Sequence, residues 1–230
     1  MSDRRKVLIV NADDFGRSTG VNRGIAATHE RGIVTSASLM VRRPAAEEAA
    51  TYARHHPRLS VGLHVDLGEW IYRDGRWEAL DEVARPPEVE IPRQLAKFRT
   101  LVGRDPTHLD SHQHVHRDQP VAALLDDLAK QLGIPLRGRA VDVRYCGDFY
   151  GQTRTGEALP EAISVDALMA LIGRLPNGVT ELGCHPGVGT EFDLPYSHER
   201  SAEVDTLCDS RVWAAIDICD VQLSSFADLY

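Results

Sequence analysis

Short apolar runs rich in β-branched residues alternate along the chain with longer stretches whose apolar positions recur every three to four residues. The short runs, at residues 7–10, 34–41, 59–67, 107–112, 179–184 and 221–225, predict strands, and 136–143 reads as extended. The longer stretches, at 21–31, 45–55, 91–102, 121–132, 165–175, 199–208 and 211–218, predict helices. Repeated strand and helix units imply a parallel sheet, either closed into a barrel or open and doubly wound. Residues 68–89 and 147–160 lack clear periodicity and read as loops, long enough to serve as lids or substrate walls.

Polar residues break the apolar pattern where the predicted strands end: Asp13 and Asp14 in VLIVNADDFG, His64 in SVGLHVDL, His112 in HLDSHQHVH, and His185 in TELGCHPGV. In either architecture chemistry sits beyond the carboxyl ends of the strands. These residues come from four strands spread through the chain, which favours a barrel-like closure gathering four tips around one mouth. A carboxylate and two imidazoles with open coordination positions hold a divalent ion and activate water on it.

Each residue has a plainer reading. Asp13 and Asp14 could cap the following helix, but two neighbouring carboxylates projecting oppositely from an extended backbone suit two separate tasks. Strand alternation through THLDSHQHVH would put His108, Asp110, His112, His114 and His116 on one face. Four imidazoles so close together have no inexpensive core explanation, since each needs a partner when buried. If the chain leaves the strand after His112, His114 and His116 become supporting or substrate contacts. His64 and His185 are individually weak signals. Asp66 reads equally as a partner orienting His64 or as an exposed strand-end carboxylate.

At 230 residues and 43% hydrophobic, the chain can bury a full core and is expected to form one domain over 1–230. A net charge of −8 leaves no basic footprint for nucleic acid or anionic lipid. Four scattered cysteines make no disulfide framework or CxxC pair and fit a reducing compartment. No signal peptide or membrane-spanning run is legible, so a cytoplasmic location is expected. The GxxxxGK[ST] and GxGxxG signatures are absent, which removes the usual support for nucleotide hydrolase and dinucleotide oxidoreductase readings.

Together NADDFGRSTGVNRGI, GIVTSASLMV, VGLHVDL, PTHLDSHQHVH and ELGCHPGV resemble the YdjC-like carbohydrate deacetylases over nearly the whole chain. The resemblance implies an α/β fold: a distorted (β/α) barrel related to polysaccharide deacetylases, with parallel strands and outer helices. It implies a divalent metal, zinc or magnesium foremost and manganese, cobalt or nickel as alternatives, on Asp14, His64 and His112. Asp13 would then be the base and His185 the acid in removing an acetyl group from an N-acetylated sugar, and self-association is expected. Trp70, Trp77, Phe149 and Tyr150 are candidates to stack on sugar rings. A metal-dependent phosphoesterase is the rival, opposed by the sparse cations near the cluster, where the sequence shows only Arg17 and Arg117. A sugar-binding protein that keeps the fold without catalysis is the third possibility.

Overall fold

The computed structural model describes residues 5–73, 75–189 and 196–229. Its spine is β1 (Lys6–Phe15), whose apolar run is buried on both faces, as a central parallel strand requires. Around it stand β2 (Ser36–Leu39), β3 (Ser60–Val65), β6 (Leu109–Ser111), β7 (Val143–Cys146), β8 (Gly178–Cys184) and β9 (Val221–Leu223). The sheet order is β6-β3-β2-β1-β8-β7, every pairing is parallel, and β9 lies along the first residues of β1. Leu136 extends the β6 edge through a parallel bridge to Leu109, but the 136–143 segment is otherwise not a strand until Val143.

One buried guanidinium decides between an open sheet and a curled one. Arg137 Nη2 lies 2.8 Å from Asp110 on β6, 2.7 Å from Asp13 on β1 and 2.7 Å from Glu181 on β8. In a flat sheet β6 and β8, four strands apart, would be separated by roughly 19 Å at the usual spacing. The sheet therefore curls into a half-barrel, as expected for this class, with the Arg137 side chain filling its interior.

Helices cover the outside: α1 (Thr19–Arg31), α2 (Ala46–His55), α3 (Pro87–Val102), α4 (Val121–Leu132), α5 (Val165–Gly173), α6 (Ser197–Leu207) and α7 (Ser210–Ile218). Their ends carry ordinary signals. Ser18, Ser164 and Asp209 accept backbone N–H bonds at the starts of α1, α5 and α7, and Gly103 and Gly133 close α3 and α4 in left-handed backbone. Gly24 lets α1 reach the chain after β8, where a Cβ would lie 2.4 Å from the Gly187 Cα.

Residues 68–89 depart from the loop reading. They form an antiparallel hairpin of β4 (Gly68–Arg73) and β5 (Arg76–Glu82), followed by the start of α3. The hairpin stands outside the main sheet and exposes Tyr72 and Trp77. Its half-polar strands bury too little apolar surface to give a strong periodic signal.

Candidate metal and catalytic site

The end of β1 is not simply extended. Its pairing with β2 slips between Ala12 and Phe15, and Asp14 adopts φ 66°, a left-handed conformation that aspartate tolerates better than most residues. This bulge turns both Asp13 and Asp14 toward one cavity of about 530 Å³, in place of the opposite projection expected from a straight strand.

Asp14, His64 and His112 meet there, and one donor atom from each lies within 4.8 Å of the others. Asp14 Oδ1 is 3.1 Å from His112 Nδ1 and 3.6 Å from His64 Nε2, while Oδ2 accepts from Arg200 Nη2 at 2.5 Å. On the far side of His64, Nδ1 lies 2.8 Å from Asp110 Oδ1. A carboxylate there holds the proton on Nδ1 and leaves the Nε2 lone pair facing Asp14, a common arrangement behind metal-binding imidazoles. Asp66 is not that partner. It is buried and tied to Arg42, Arg43 and the Gly68 N–H, which is neither of the two readings the sequence allowed.

The donor set fits a divalent cation on a specific observation: Asp14 Oδ1 is buried, has no hydrogen-bond partner among the described residues, and faces two imidazole nitrogens. A second grouping, Asp13, His64 and Asp110, is also compact, but Arg137 bridges both of its carboxylates and would oppose a cation. The charges around Asp14 agree. Burial alone would raise its carboxyl, yet Arg200 and His112 hold it well below the ordinary range. His112 is moved the other way: burial works against its charged form, but Asp14 lifts it to about 9. His64 is raised by Asp110 despite the same burial.

Asp13 is clamped differently. Arg137 binds both of its oxygens, at 2.6 and 2.7 Å, and Asn11 donates at 2.9 Å. Arg137 thereby outweighs burial and keeps the carboxyl below its usual value. His185 follows β8 and places Nε2 3.7 Å from Asp13 Oδ2, with its ring edge-on to Tyr150 and Tyr196. Burial lowers its imidazole to about 4, Arg200 and Arg137 adding to the effect against Asp13 and Asp14, so it is neutral near pH 7. Glu203 accepts the His185 backbone N–H, and Arg200 Nη1 donates to its carbonyl at 3.2 Å, which fixes this tip from α6.

The histidine-rich segment takes a shape the alternation did not predict. The strand ends at Ser111, and a 3₁₀ turn over His112–Arg117 follows, with Gln113 and His114 at φ 50° and 56°. The five residues therefore share no face. His108 is buried below the site, stacked on Phe226 at 3.9 Å and bonded to Ser38 and Thr107. His116 bonds Ser111, His112 joins Asp14, and His114 lines the cavity wall beside Tyr145. Gly62 makes room for His108, whose ring would lie 2.5 Å from a Cβ at that position.

Sequence reasoning missed Arg137, Arg200, Glu69 and Glu203. Arg137 shares with Arg139 a stretch read as extended, and the others lie on surface-like segments, so none carried a distinctive signal. The sparse cations expected near the cluster are also corrected, because Arg137 and Arg200 join Arg17 and Arg117. Arg17, Arg137 and Arg200 are paired with carboxylates. Of the four aromatic candidates, Trp70, Trp77 and Tyr150 line a second opening of about 690 Å³ beside the first, whereas Phe149 is fully buried.

The family model described as YdjC-like protein matches residues 7–217. A chitooligosaccharide deacetylase of Serratia marcescens is 34% identical, covering 97% of this chain and 99% of that one. A carbohydrate deacetylase of Geobacillus stearothermophilus is 36% identical, covering 98% of each. Among solved structures, an Enterococcus faecalis V583 protein provisionally named for cellobiose-phosphate cleavage superposes with a TM-score of 0.79 at 25% identity, covering 98% of this chain and 99% of that one. A peptidoglycan N-acetylglucosamine deacetylase superposes with a TM-score of 0.60 at 11% identity, covering 100% and 90%, which shows a shared fold. On the sequence match across nearly its whole length, the chain belongs to the YdjC-like protein family.

Proposed function

We propose that this protein is a metal-dependent hydrolase that removes the acetyl group from an N-acetylated sugar and releases acetate. The observation that carries the reading is the unpartnered Asp14 Oδ1 facing His64 and His112 at the floor of a cavity that also holds the Asp13 and His185 pair. The deacetylase names of relatives 34% and 36% identical over almost the whole chain support the same chemistry.

Asp14, His64 and His112 would hold the ion, zinc or magnesium foremost. Such a cation lowers the pKa of water and places positive charge opposite the oxyanion that develops at the amide carbonyl. The Arg137 clamp keeps Asp13 ionised and fixed, so its carboxylate can accept a proton from the attacking water. The leaving nitrogen needs a proton in return, because an amide anion is a poor leaving group. His185 Nε2, neutral and 3.7 Å from Asp13 Oδ2, is placed to receive that proton and pass it to the nitrogen. Arg200 and Glu203 hold the His185 backbone in register.

The four cysteines are free, which suits a reducing compartment and the cytoplasm, and among the described residues no helix is long and apolar enough to cross a membrane. Self-association is carried over from the family and is read by light scattering. The deciding assay measures acetate release from N-acetylated mono- and disaccharides, with metal stripped and restored, for the parent and Asp13→Asn. Acetate release that disappears on chelation and returns with metal supports the reading. Release of phosphate from phosphosugars with no acetate would replace it with the phosphoesterase alternative.

A further inference from the structure

Glu69, the second residue of the β4–β5 hairpin, points away from solvent and into the site. Arg17 Nη2 grips both of its oxygens, at 2.7 and 2.9 Å. Held there, Glu69 Oε1 is 3.9 Å from His112 Nε2, while the other nitrogen of the same ring, Nδ1, faces Asp14 Oδ1 at 3.1 Å. His112 Nε2 is buried and has no hydrogen-bond partner among the described residues. A second link ties the same two segments together. Gln113, in left-handed backbone next to His112, accepts from the Trp70 N–H at 3.0 Å and donates to the Trp70 carbonyl at 2.7 Å.

We propose that Glu69 is a positioning residue for His112: its carboxylate accepts a hydrogen bond from Nε2–H and so leaves Nδ1 free for the ion. Asp110 stands in the mirror relation to His64, on Nδ1 rather than Nε2. The inference rests on the metal reading above. The present 3.9 Å exceeds an ordinary N–H···O separation by about 1 Å, so a rotation of the Glu69 side chain or a slight inward shift of the hairpin completes the bond. Ion affinity then depends on how the hairpin docks. The same hairpin carries Trp70 and Trp77 on the wall of the adjoining opening.

The test is calorimetric titration of the whole protein with Zn²⁺ alone, comparing the parent with Glu69→Ala, Glu69→Gln and Gln113→Ala. Glu69→Ala is expected to bind zinc roughly 10–100-fold more weakly. Glu69→Gln, which keeps an oxygen acceptor, should recover part of that loss, and Gln113→Ala should weaken binding with Glu69 intact. ¹⁵N NMR of the zinc-loaded parent should show the His112 proton on Nε2, with faster exchange in Glu69→Ala. Because Glu69→Ala strands the buried Arg17, the double variant Arg17→Met with Glu69→Met removes both charges together and should show the same loss. Zinc affinity within twofold of the parent in Glu69→Ala or in the double variant, with an unchanged His112 proton, overturns the proposal while leaving the metal site intact. A parent that takes up none of zinc, magnesium, manganese, cobalt or nickel, or a His64→Ala variant that binds like the parent, overturns the metal reading itself.

Discussion

Two walls enclose the cavity, and they are built differently. One is made of strand tips, where Asp13, Asp14, His64 and Asp110 are buried and each is held by a charged or hydrogen-bonding neighbour. The other continues into the adjoining opening and is made of the β4–β5 hairpin and residues 147–160, where Trp77 is 60% exposed and Tyr150 37%. The difference is one of tolerance. A clamped carboxylate loses its partners when altered, whereas an exposed ring loses only the contact it makes with a ligand. On the proposed function, the chemistry belongs to the sheet wall and the substrate grip to the exposed rings of the other, the buried Glu69 being the hairpin's link to the ion.

The sharpest way to break that division is at Asp14. Asp14→Ala should remove the bound ion and bring acetate release down to that of the chelated parent, checked by metal content and rate together. Asp13→Asn comes next: metal content should be kept while kcat falls roughly 10²–10⁴-fold, the usual cost of removing a general base. Equal loss of metal in both variants would show that the two carboxylates are not divided as their partners imply.

A stability measurement probes the sheet wall below the site. Burial pushes the His108 imidazole down to about 3, against an ordinary 6.5, so the ring is neutral in the fold. The unfolded chain therefore binds the extra proton between those values. Stability from His108 is fully present above pH 6.5 and is lost as pH falls toward 3, at up to about 1.4 kcal/mol per pH unit. His108→Gln should show a shallower decline of urea midpoint below pH 6.5, at the cost of a lower midpoint at pH 8 from the lost stacking on Phe226. The smallest effect belongs to the hairpin wall. Trp77→Ala should raise KM about two- to tenfold, the worth of one aromatic contact, with kcat nearly unchanged. A kcat loss as large as that of Asp13→Asn would place chemistry on the hairpin and end the comparison.

Much of the fold could be read in advance because its signals are local. The buried run of β1, the Ser18 and Ser164 caps and the glycines ending α3 and α4 each announce an element within a few residues. The hairpin was missed because its strands alternate charge and aromatics with little burial to enforce a period. The histidine segment misled in a different way. Its spacing fits a strand, but paired positive φ values at Gln113 and His114 turn the chain just after Ser111, and no glycine marks the turn.

The chain's own pattern determined where strands end and that acids and imidazoles occupy those ends, since alternation, capping and strand-tip chemistry depend on near neighbours. Only the tertiary structure decided which of them meet and what charges surround them. Arg137 reaches Asp13 across 124 positions of sequence, Arg200 reaches Asp14 across 186, and Glu69 arrives on a hairpin outside the sheet. Contacts of that range leave no local periodicity, because they are set by the curl of the sheet and the packing of α6 against α1. The same curl holds Asp13 ionised under an arginine clamp and leaves Asp14 with one oxygen open toward two imidazoles.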